Sequence, residues 1–164
     1  MTRFSKGDIV ARSLQICLIT LATLAGTALS FPARADMCNY HFQNFNNGTK
    51  VANLMKESWP AIEDDTLCSP VFIFMMETNI EINERILRSA VVVESCSDEF
   101  RPGTSSAEIQ SEIDELSGLL ENARDPDRMD LCNETFPAAK TKYDAHLAKL
   151  QKKWKQLLKT YPTE

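Results

Sequence analysis

Four cysteines, Cys38, Cys68, Cys96 and Cys132, each stand at an end of a segment with helical periodicity. This layout constrains the chain more than any other feature. An even set of cysteines in an exported chain of this size reads as a disulfide framework. Placed at helix ends, the cysteines staple helices to one another, and the links are predicted to be two.

The case for export lies in the first 35 residues. Arg3, Lys6 and Arg12 give a basic start, and an apolar run follows from Leu14 to Leu29. Ala33-Arg34-Ala35 then offers small residues at the two positions a signal peptidase reads, so cleavage is expected before Asp36. Thr20, Thr23, Gly26 and Thr27 interrupt the run, which is short for the roughly 20 apolar residues of a membrane span. The fifth cysteine, Cys17, leaves with this segment. Residues 36–164 are therefore read as one helical domain, long enough for a real core and too short for two. No stable membrane span is expected after signal removal, and the expected location is periplasmic or secreted. Loss of residues 1–35 takes away four bases and one acid and moves the formal charge from −5 to −8. A net negative chain is a poor candidate for nucleic acid.

Four helical segments follow. The first runs from Met37 to Trp59, before Pro60. Its two apolar stripes, Cys38/Phe42/Phe45 and Val51/Leu54/Met55/Trp59, are slightly out of register across Asn46-Asn47-Gly48, a triplet that favours a break. The segment reads either as one helix interrupted near Gly48 or as a short helix followed by a second. In the second segment Ser69 is an N-cap and Pro70 sits at the first helical position. The chain is then apolar almost all round from Val71 to Met76, which marks the most buried helix of a small bundle or a dimer seam. Asn79 and Asn83 interrupt that pattern; the plainer reading puts them on its exposed side, and the alternatives are buried polar groups that fix helix register or a partner contact. After a linker from Ser97 to Thr104, Ser105-Ser106-Ala107-Glu108 reads as a capping box. Ile109, Ile113, Leu116, Leu120 and Ala123 follow as an a/d seam that stops before Asp125-Pro126. The fourth segment carries Cys132 and Pro137 near its start, and Phe136, Tyr143, Leu147, Leu150, Trp154, Leu157 and Tyr161 form its seam.

The predicted fold is all-α, an antiparallel up-down four-helix bundle stapled by two disulfides. Cys68 and Cys96 lie at opposite ends of a helix about 37 Å long, whereas a disulfide tolerates about 7 Å between Cα atoms. They cannot pair with each other. The up-down order brings Cys38 to the end where Cys96 lies and Cys132 to the end where Cys68 lies. The expected pairs are Cys38–Cys96 and Cys68–Cys132.

Chemistry-bearing motifs are sparse. Cys38-Asn39-Tyr40-His41 has a metal-like spacing, but a structural zinc site needs a second such pair and reduced thiolates. Covalent haem attachment needs two cysteines directly before a histidine, which the chain lacks. Noncovalent haem between a methionine of the first helix and a histidine of the last would fall to Met55 and His146, although His146 flanks its seam. No nucleophile elbow surrounds any serine. The last helix is basic: Lys140, Lys142, Lys149, Lys152, Lys153, Lys155 and Lys159 face one acid, Asp144. Either it lies along the acidic third helix, or Lys142, Lys149, Lys152 and Lys153 form a face for an acidic partner.

These features predict a non-enzymatic exported helical module, without cofactor, that binds a protein partner or a small apolar ligand. The second expectation is a four-helix-bundle carrier of haem or metal using His146 and Met55.

Overall fold

Helix-starting chemistry is realised where the sequence supplies it. The Ser69 side chain accepts from the Phe72 N–H, and Pro70 opens a helix of 25 residues. Ser105 and Glu108 complete a reciprocal capping box at the next helix, and Asp125 caps the one after it from just before Pro126. The computed structural model describes residues 31–96 and 102–163, with the side chains of 31–33 left aside. The described residues form five α-helices and a short 3₁₀ helix, Thr66–Cys68, with no strand among them. The helices are α1 (Phe31–Lys56), α2 (Pro70–Glu94), α3 (Ser106–Ala123), α4 (Pro126–Thr135) and α5 (Ala139–Thr160). Most of the expected signal segment, Cys17 included, lies outside the described residues, as do 97–101 of the linker. None of the described helices is long and apolar enough to cross a membrane.

The chain divides into two compact units, Met1–Cys38 and Asn39–Glu164. The described part of the first is the opening of α1. The packing below concerns the second.

Phe45, Val51 and Met55 of α1, Val71, Phe72, Met75, Met76, Ile82 and Ile86 of α2, Ile109 and Ile113 of α3, and Tyr143, Leu150 and Trp154 of α5 form one buried cluster. Helix α2 packs against both α3 and α5. Ile73 and Phe74 are half-buried against the same cluster, so the apolar girth of Val71–Met76 is taken up by the protein's own core. Polar contacts fasten the ends of α2 and α3. The Glu94 carboxylate accepts from the Ser106 N–H at 2.6 Å and its hydroxyl at 2.7 Å, and Arg124 pairs with Glu77. The tail after α5 is also pinned: Arg85 donates to the Thr163 carbonyl at 2.7 Å, and Asn47 to the Pro162 carbonyl at 3.2 Å.

Three sequence expectations are corrected. First, α1 is unbroken through Asn46-Asn47-Gly48. Gly48 is itself a seam position: a Cβ there would stand 2.5 Å from Ile86 Cγ1, so the missing side chain lets α1 and α2 approach closely. Counted with Gly48, the stripe Phe45–Gly48–Val51–Met55 is continuous. Second, Asn79 and Asn83 are buried, not exposed, because α2 is covered by neighbours on most of its circumference. Third, the fourth segment is two helices. Pro137 cannot donate a helical hydrogen bond, and the chain turns at Phe136–Ala138 between α4 and α5.

Candidate functional site

The described side chains that combine exposure, apolar character and a concave surface meet around one disulfide. The loop 61–65 leads into the 3₁₀ helix, which touches α2, α4 and α5. Its last residue, Cys68, is bonded to Cys132 of α4 with a Cα–Cα distance of 5.4 Å. Cys38 and Cys96 are likewise in disulfide linkage.

A polar clasp holds this corner in shape. The Thr66 and Tyr143 hydroxyls meet at 2.8 Å, and the Tyr143 hydroxyl donates to Asp65 at 3.0 Å. Lys142 donates to Asp65 at 2.7 Å and to Glu63 at 3.1 Å. The ammonium hydrogen bond holds the Asp65 carboxyl below its ordinary value; partial desolvation opposes this, and the Tyr143 hydroxyl adds to it. Asp65 in turn raises the Lys142 ammonium. Ser69 closes the clasp by donating to the Thr66 carbonyl at 2.7 Å.

Beside the disulfide lies a cleft of about 260 Å³ walled by Leu67, Leu131, Phe136 and the two cysteines, with Asp64 and Arg128 on its rim. Leu131 is 63 % exposed, and Ile62, two residues before Asp64, is 61 % exposed. Asp64 and Arg128 oppose each other in charge on that rim, while α4, the helix that supplies one wall, also carries exposed Asp127, Asp130 and Glu134. Sequence reading missed this cleft because it merged α4 with α5. The Phe136-Pro137 step was the signal that separates them, and it leaves Leu131 as an isolated aliphatic residue in a polar ten-residue helix.

The other site candidates are scattered. Met55 is sealed in the core at 1 % exposure. His146 is half-buried, and its Nε2 is buried with no hydrogen-bond partner. The cleft beside the disulfide is lined by neither. His41 packs edge-on against the Tyr40 ring at 5.2 Å, and no metal-capable cluster of His, Cys, Asp or Glu occurs among the described residues. The four lysines assigned to one face are divided. Lys142 is held in the clasp, and Lys153 donates to Ser58. Lys149 and Lys152 stay exposed, and among the described residues no lysine of α5 pairs with an acid of α3. Of the described α5 lysines, Lys142 alone finds its acids in the loop 61–65, and Lys140 pairs with Asp144 within α5.

Comparison with protein-family models, with curated proteins and with solved structures finds no match to this chain.

Proposed function

We propose that this is an exported, non-enzymatic helical module that binds another protein through the cleft beside Cys68–Cys132. The observation that carries the reading is Leu131, a large apolar side chain left mostly in water at the mouth of an apolar cleft. The occupant is a partner segment presenting one apolar side chain flanked by basic residues. The cleft's volume of about 260 Å³ falls below the roughly 300–1,000 Å³ of small-molecule pockets, which favours a single side chain over a free apolar ligand. Asp64 on the rim and the net acidic exposed surface of α4 support basic flanks in the partner.

The basic start and apolar run of residues 1–35, together with oxidised cysteines, support export to a periplasmic or extracellular site. The paired contacts Glu94–Ser106 and Glu77–Arg124 support an antiparallel order of α2 and α3 within an up-down bundle. In that order Cys38 pairs with Cys96, and non-reducing peptide mapping checks the link.

A photocrosslinking residue placed at position 131 of the full chain, expressed in its native envelope, tests the binding reading. The expected adduct contains a partner peptide with an apolar residue between lysines or arginines, and it weakens as salt rises. An absent adduct, an acidic crosslinked peptide, or an equal yield of the same adduct from position 149 overturns the proposal.

A further inference from the structure

A second concavity lies between α1, α2 and α3, and it contains the buried asparagine that the apolar pattern of α2 does not explain. Asn83 is 6 % exposed, and its Nδ2 is buried without an acceptor. Buried donors in native proteins are nearly always satisfied, so an orphan needs an explanation. Here the side chain lines a cavity of about 190 Å³ with Phe45, Ile86 and Ile109 as apolar walls and Lys56 and Glu112 on its rim. Lys56 and Glu112 are both about half exposed and form a loose ion pair at 3.8 Å, longer than a direct hydrogen bond and open to a ligand that meets both charges. The volume admits only a molecule of a few heavy atoms.

The charges narrow its chemistry. A lone anion drawn to Lys56 meets the repulsion of Glu112, and a lone cation drawn to Glu112 meets that of Lys56. A molecule bearing both charges satisfies both groups, and its oxygen supplies the acceptor that Asn83 lacks. We propose that this cavity binds a small amino-acid zwitterion with a short aliphatic side chain. Its carboxylate accepts from Asn83 Nδ2 and Lys56, its ammonium donates to Glu112, and its side chain lies against Phe45 and Ile86. The site is separate from the cleft beside Cys68–Cys132 and does not depend on a protein partner there.

The test is an amide-resolved NMR titration of the full mature chain with L-alanine and L-valine, and with acetate and methylammonium as single-charge controls. The expected result is saturable shifts confined to amides around Asn53, Asn83 and Thr104, with either control at least about tenfold weaker. Lys56→Met and Glu112→Gln, both on the rim, should each weaken alanine binding by about tenfold, the scale of one charge-assisted hydrogen bond. Asn83→Leu should abolish binding while its melting temperature stays at or above that of the parent. No saturable shift with either amino acid, acetate binding as well as alanine, or unchanged binding in the rim variants overturns the proposal. If Asn83→Leu does not fold, the two rim variants still decide it.

Discussion

Asp65, together with Glu63, ties the loop 61–65 to the first turns of α5. The Asp65 carboxyl is held below the ordinary value of 3.8 by the Lys142 hydrogen bond, against a partial desolvation, and also by the Tyr143 hydroxyl. A carboxyl with a lowered folded-state value adds stability that is present above its unfolded value and is lost as pH falls through the folded one. Lys142 is the same interaction seen from the other side. Its raised value means that the contribution persists below 10.5 and is lost only as pH climbs beyond that. Counted once, the pair predicts that the parent protein loses stability more steeply below pH 3.8 than Asp65→Asn does. Urea midpoints measured across about pH 2 to 6 check this, and parallel curves for the two proteins would contradict it.

Among the elements, α1 and α2 are fitted to each other through Gly48. Glycine inside a helix costs about 1 kcal/mol relative to alanine, so helix propensity alone favours Gly48→Ala. The packing opposes it, because the new methyl group would stand 2.5 Å from Ile86 Cγ1. Ile86 is β-branched and stiff at χ1, so it cannot easily swing aside. Overpacking of this kind costs about 1–3 kcal/mol. Gly48→Ala is therefore expected to destabilise, and to cost less in an Ile86→Ala background, where Cγ1 is gone. Denaturant unfolding in the two backgrounds gives the comparison, and a stabilised single variant would show that α1 and α2 can separate at no cost.

At the scale of the molecule, the Cys68–Cys132 link closes a stretch 64 residues apart in sequence. In the chain-entropy picture a loop of that length is worth about 4 kcal/mol through the unfolded state, a large part of the roughly 5–15 kcal/mol of a typical domain. Replacing both cysteines with serine is expected to cost about 2–4 kcal/mol and to loosen the cleft, since the disulfide is one of its walls. Chemical unfolding of the double variant measures the loss. A change below about 1 kcal/mol would mean that the clasp of Thr66, Tyr143, Asp65 and Lys142 holds the corner without covalent help.

Local chemistry was legible in the sequence. Ser69-Pro70, the Ser105/Glu108 capping box and the stop before Asp125-Pro126 act within a few residues. The seams Ile109–Ala123 and Tyr143–Leu157 follow from helical period alone. What needed the tertiary structure was every feature whose partner is distant in the chain. Gly48 reads as a break until Ile86 is placed against it, and Asn83 reads as a surface residue until α1 and α3 cover it. Lys142 reads as one of a row of lysines until the loop 61–65 folds back to meet it. The cleft beside Cys68–Cys132 is assembled from the loop, α4 and the turn before α5. No periodicity in any one of these predicts a concave surface, because shape arises from how separate elements meet.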